Sequence, residues 1–72
     1  MEKVRITSEY ITLGQFLKFA SIISNGGEAK NYLSSHKIKV NSVDENRRGR
    51  KLYPNDIVWC ENSSYQIIKE WE

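Results

Sequence analysis

Apolar residues recur with helical spacing in the first half of the chain and alternate like strands in the second. Leu13, Phe16, Leu17 and Ala20 fall at i, i+3, i+4 and i+7 and share one face, while Gln15 and Lys18 lie toward another. Thr12 and Gln15 form a capping box at the start of this stretch, and Ile11 and Phe16 take the positions of a hydrophobic staple. Gly14 weakens the first turn slightly. After a short connection the design repeats. Asn25 caps, Glu28 reaches back from the third helical position, and Ala29, Tyr32, Leu33 and His36 repeat at helical spacing and should face the first helix. Lys30, Ser34 and Lys37 project from a neighbouring face. The spacing predicts helices over 12–22 and 26–36.

Beyond His36 the period becomes two. Ile38 and Val40 alternate with Lys37, Lys39 and Asn41, a strand with a basic outer side. "VNSVDEN" reads as a turn, a short strand is expected around Leu52, and Tyr53-Pro54-Asn55-Asp56 makes a second turn. "IVWC" resumes the sheet and "YQIIKEW" closes it, with Tyr65 and Ile67 alternating against Gln66 and Ile68. Val4 and Ile6 alternate with Lys3 and Arg5, a short strand or ordered arm. The pattern predicts an α+β fold, a helical hairpin packed on a small antiparallel sheet that includes residues 37–41 and 56–60. No internal repeat or linker appears, so residues 1–72 are expected to form one domain with the motif's core at about 11–60.

A chain of 72 residues has little room for both a core and an enclosed active site. Its 39% hydrophobic and 28% charged residues suit a folded domain. No apolar run approaches a membrane span and the N-terminus lacks signal-peptide features, so no membrane partner and a cytoplasmic location are expected. His36 and Cys60 stand alone of their kinds, which leaves no cysteine-based metal cluster, no Cys-His or Ser-His-Asp constellation and no expected cofactor. Neither residue is expected to be catalytic: Cys60 reads as a small core residue and His36 as structural. No Gly-rich loop ends in Lys-Ser or Lys-Thr. The chain is expected not to be an enzyme.

The formal charge of +2 hides an asymmetry. Lys30 to Lys51 carries a net +5 and the remainder a net −3. The densest part is "NRRGRKLYPND", Asn46 to Asp56, with four cations in the five positions Arg47 to Lys51. Arg presents a planar fork to phosphate, Gly49 lets the loop backbone approach a ligand, and Lys30 sits near a helix start where N–H groups also favour an anion. The competing reading pairs Arg47 and Arg48 with Asp44 and Glu45 in an exposed cluster, but such pairs contribute roughly 0–1 kcal/mol and do not require so dense a run.

The strings "LGQFLKFASIISNGGEAKNYLSSHKIKVN" and "ENRRGRKLYPNDIV" resemble the RNA-binding domain of the fourth protein of the small ribosomal subunit, an S-four-type domain or alpha-L motif. Within that family the chain is most similar to the short stand-alone bacterial members of the YaaA type. The resemblance implies a module that binds structured RNA, ribosomal or transfer, in assembly, translation or quality control, with the ribosome as a further candidate partner; a monomer is expected. The RNA-facing positions it implies are Ser24, Gly26, Gly27 and Lys30 around the second helix and Arg47, Arg48, Arg50 and Lys51 in the loop, with Lys18 and Lys37 as further candidates. Two departures concern turn geometry: Asn41-Ser42 stands where the family has Asn-Gly, and Pro54-Asn55 where it has Pro-Gly.

Residues 37–51 contain no aromatic side chain, so phosphate contacts should dominate and folded RNA should be preferred over an unstructured strand. Arg47 and Arg48 lie outside the apolar pattern and should be dispensable to the fold. The rival function is a protein-interaction module that anchors an acidic partner through Tyr10, Tyr53 or Trp71.

Overall fold

The computed structural model describes residues 1–70, which run β1 (Glu2–Ile6), β2 (Ile11–Thr12), α1 (Leu13–Phe19), a single 3-10 turn (Gly26–Glu28), α2 (Ala29–Ser35), β3 (Ile38–Val40), β4 (Val43–Asp44), β5 (Lys51–Leu52), β6 (Ile57–Cys60) and β7 (Ser63–Lys69). The class is the expected α+β, a helix pair on a small sheet. Trp71, placed by the sequence in the last strand and among the anchors of a protein partner, lies outside the described residues.

Both capping boxes form. The Gln15 N–H donates to the Thr12 hydroxyl at 3.2 Å and the Thr12 N–H to Gln15 Oε1 at 2.9 Å. Asn25 Oδ1 accepts from the Gly27 N–H at 3.0 Å, and Glu28 Oε1 accepts from the N–H groups of Ser24 and Asn25 at 3.0 and 3.1 Å. These side chains satisfy donors that a helix start leaves without intrahelical partners.

α1 ends at Phe19, three residues short of the expected 22, because Ser21 adopts the left-handed conformation with φ 60°. The Ser21 N–H then reaches the Lys18 carbonyl at 3.0 Å and the Ile22 N–H the Leu17 carbonyl at 2.9 Å, the paired bonds of a Schellman motif. The expected second helix opens as a 3-10 turn before regular α2 begins at Ala29. Its stripe is narrower than expected. Ala29 and Leu33 are buried, but His36 is exposed and stacks on half-buried Tyr32 at 4.1 Å instead of facing α1. His36 Nε2 lies 3.2 Å from Glu61 Oε1, which also accepts from the Tyr32 hydroxyl at 3.4 Å, so this cluster ties α2 to the end of β6. Burial and Glu61 push the Tyr32 phenol up to about 12.

The main sheet has the order β1-β7-β6-β3-β4 and the short pair β2-β5 forms a second. Antiparallel pairing of β3 with β6 and of β6 with β7 is as expected. The sheet is nevertheless mixed, because β1 adds to its edge parallel to β7, with Val4 opposite Ile67. Ile38, Val40, Val58, Cys60, Tyr65 and Ile67 turn inward and meet Leu13, Phe16, Leu17, Ala29 and Leu33 in one buried cluster. Phe16 meets Tyr65 edge to face at 5.2 Å. Cys60 is buried in this core, and burial followed by the Glu61 charge raises its thiol to about 11. No helix among the described residues is long and apolar enough to cross a membrane.

Both turns that depart from the family pattern keep a glycine-like backbone. Asn41 and Ser42, at φ 51° and 72°, join β3 to β4, which extends into the segment expected to be an open turn. Asn55, at φ 80°, follows Pro54 in a turn closed by the Asp56 N–H to the Tyr53 carbonyl at 3.0 Å. Asn41 also holds β6, since its side chain accepts from the Ile57 N–H at 2.9 Å and donates to Asp56 Oδ1 at 3.0 Å.

Serine gains nothing comparable at φ 60° and 72°. Ser21→Gly and Ser42→Gly are each expected to raise stability by roughly 0.5–1 kcal/mol, the left-handed strain relieved less the added chain entropy. Urea unfolding checks this, with an unchanged or lower midpoint counting against the strain.

Candidate functional site

Four cations in five positions repel one another and ought to splay, yet this loop is folded tightly because one carboxylate gathers it. Glu45 follows β4, and its side chain is only 6% exposed. Its Oε2 accepts from the N–H groups of Asn46 and Arg47 at 3.2 and 3.1 Å and from Arg47 Nε at 2.9 Å. Its Oε1 accepts from Arg47 Nη2 at 3.0 Å and from Arg50 Nη1 at 2.9 Å. The Arg47 hydrogen bonds, outweighing the burial that opposes them and joined by Arg50, lower the Glu45 carboxyl from 4.5 to about 2. The same contact raises the Arg47 guanidinium.

A second set of bonds fastens the loop to the helices. Arg47 and Arg50 close a turn, with the Arg50 N–H 3.1 Å from the Arg47 carbonyl, leaving Arg48 and Gly49 at its tip. The Arg50 and Arg48 carbonyls accept from the N–H groups of Leu13 and Gly14 at 2.8 and 2.9 Å, so the loop backbone caps α1. A Cβ placed on Gly14 would lie 3.5 Å from the Arg48 carbonyl and 3.6 Å from the Ala29 side chain. The first turn of α1 is thus where the loop meets α2, and Lys30 follows Ala29 directly.

The expected site residues divide accordingly. Gly26, Gly27, Lys30, Arg47, Arg48, Arg50 and Lys51 belong to the two segments that meet at Gly14, and all but half-buried Arg50 are exposed. Ser24 is also exposed, and its backbone N–H is spent on Glu28. Lys37 borders an open hollow with Asp44, Glu45 and Asn46 where the chain enters the loop. It stands 3.9 Å from Asp44, and with both side chains exposed this pair contributes little. Lys18 sits at the end of α1 away from the loop. Among the described residues Lys18, Lys30 and Arg48 enter no ion pair.

The Arg-rich run is therefore neither a solvated loop nor an exposed ion cluster. Arg47 pairs with Glu45, as the competing reading expected, but with a buried partner; Arg48 does not pair, and Arg50 does. Arg47 therefore touches the fold through Glu45, a contact that its place outside the apolar pattern did not suggest. Its side chain is still 73% exposed, and only part of its donor fork is used by Glu45.

Two further groups stand elsewhere than sequence reasoning put them. Glu45 was expected only as an exposed pairing partner and is instead buried, although an acid at a strand end beside a cation run is itself a signal. The absence of aromatics from residues 37–51 does not carry over to the surface, because Tyr10 and Tyr53 reach it from either side. Ile11 pairs with Leu52 and Thr12 with Lys51, and the tyrosines flank that short ladder with ring centroids 5.6 Å apart. Lys51 Nζ lies 4.9 Å from the centre of the Tyr10 ring.

The S4 domain family matches residues 4–68 of this chain. A probable ribosome maturation protein, RlbA, of Bacillus subtilis (strain 168) is 52% identical over 66 residues, covering 90% of this chain and 93% of that protein.

Two outcomes test the loop. Folded Glu45 holds a proton less tightly than unfolded Glu45, so its contribution to stability is complete above pH 4.5 and is lost as the pH falls toward about 2. Wild type is expected to lose stability more steeply across that window than Glu45→Gln, as urea midpoints at a series of pH values would show; parallel curves would remove Glu45 from its central place. No atom lies within 4 Å of where a Cβ of Gly49 would stand, and its φ is not positive. Gly49→Ala should therefore leave the melting temperature unchanged while weakening any ligand that needs the bare turn tip, read by calorimetry and RNA titration together.

Proposed function

The chain belongs to the S4 domain family, and from that premise we propose that it is a binding module for structured RNA, ribosomal or transfer RNA, acting in ribosome assembly. The proposed interface is the basic surface where the start of α2 meets the loop from Arg47 to Lys51. The observation that carries this reading is the fastening of the loop: the Arg47 and Arg50 side chains are held on the Glu45 carboxylate, and the Arg48 and Arg50 carbonyls on the N–H groups of α1, so the cation run is presented on an ordered backbone. Fixed cations lose less conformational freedom on contact with phosphate than flexible ones do.

The maturation role is drawn from the name of the Bacillus relative, and binding without catalysis from the family. In this reading Arg48 and Lys30 grip phosphates, while Arg47 and Arg50 divide their donors between Glu45 and RNA. Gly26 and Gly27, which carry no side chains, allow the RNA backbone to approach the start of α2. Lys37 and Lys18 extend the positive field from its margins. A single chain suffices for such a surface.

Salt titration against a folded RNA hairpin and an unstructured strand of equal length tests the proposal. Wild type should prefer the hairpin, and affinity should fall steeply with salt. Arg48→Ala and Lys30→Ala should each lower the salt slope by about one unit with little change in melting temperature. Unchanged slopes would take these residues out of the interface. Association with ribosomal particles that survives RNase treatment would favour a protein partner instead.

A further inference from the structure

We propose that Tyr53, backed by Tyr10, is a stacking platform for an unpaired RNA base beside the phosphate-gripping loop. The proposal rests on the RNA-binding reading and adds to it a contact that charge alone cannot make.

The platform is built by the β2-β5 ladder. Tyr10 precedes Ile11 and Tyr53 follows Leu52, so antiparallel pairing of Ile11 with Leu52 brings the two tyrosines to facing positions. Their rings are 5.6 Å apart and tilted by 44°. Lys51 covers part of Tyr10, with its Nζ 4.9 Å from the ring centre. Tyr53 is 42% exposed and lines an open depression of about 530 Å³ with Arg47, Gly49, Arg50, Lys51 and Asp56.

Its backbone is held as well. The Tyr53 N–H donates to Asp56 Oδ2 at 2.8 Å, and Asp56 Oδ1 is engaged by Asn41 at 3.0 Å, so the one carboxylate in the depression already has donors on both oxygens. What remains is an aromatic ring beside three cations and a glycine. That combination suits a nucleotide: cations take the phosphate and the ring takes the π-face of a base, whatever its identity. A paired base inside a helix keeps its face hidden, so the ligand class is folded RNA with a bulged or flanking unpaired nucleotide. Tyr10 acts as a positioning residue, since Lys51 occupies it and it supports Tyr53.

The test uses three versions of one short RNA hairpin: fully paired, with a single bulged adenosine, and with an abasic residue at the bulge. Wild type should bind the adenosine bulge roughly five- to tenfold more tightly than the paired form, and the abasic bulge no better than the paired form. Tyr53→Ala should erase the preference while keeping the affinity for paired hairpin, its salt slope and the melting temperature. Tyr53→Phe should restore the preference. Equal wild-type affinity for all three hairpins, with a normal salt slope, overturns the stacking inference alone. Failure to bind any of them overturns the RNA reading and this inference with it. The comparison of adenosine with abasic RNA needs no variant, so it stands whether or not Tyr53→Ala folds.

Discussion

A buried carboxylate surrounded by five donors is the constraint on which the rest of the surface depends. Like charges in contact repel by about 1 kcal/mol even in water at ~4 Å, and Arg47, Arg48, Arg50 and Lys51 crowd far more closely in sequence than a solvated loop needs. Glu45 reverses the balance. It draws two guanidinium groups and two backbone N–H groups onto one point, so the remaining cations are turned outward by geometry. A buried charge is costly unless every lone pair is met, and here the donors meet it.

The anchor works because it lies between elements that are independently fixed. The Glu45 N–H is bonded to the Ile38 carbonyl at 2.9 Å, so the carboxylate projects from the edge of the main sheet. The loop it gathers then supplies carbonyls to the first turn of α1. Sheet, loop and helix are therefore linked by polar bonds at one corner, while the apolar cluster of Phe16, Leu17, Val58 and Ile67 joins them elsewhere. The cap runs in both directions: the helix start satisfies the loop, and the loop satisfies the helix start.

What could be read from the sequence was local. The capping boxes at Thr12 and Asn25 depend on residues three apart, and the alternation of Tyr65 with Ile67 needs only its own strand. The early end of α1 was hidden because Ser21 takes a conformation that sequence reasoning assigns to glycine or asparagine. The parallel pairing of β1, the burial of Glu45 and the approach of Tyr10 to Tyr53 join segments distant in sequence, and no local pattern encodes them. The candidate basic residues were legible because a dense cation run is itself unusual; their division into free and anchored members was not, since it turns on one carboxylate.

The edge pairing of β1 also has a kinetic side. Its bonds join residues 2–6 to residues 65–69, the longest span in the fold, whereas the β3-β4 and β6-β7 hairpins and the helix pair close over short stretches. Closing so long a loop costs more chain entropy than closing the hairpins, so this pairing raises the contact order of the fold and slows its folding. Until β7 is in place β1 has no strand to join. The strand that completes the sheet's edge is thus joined across nearly the whole length of the described chain.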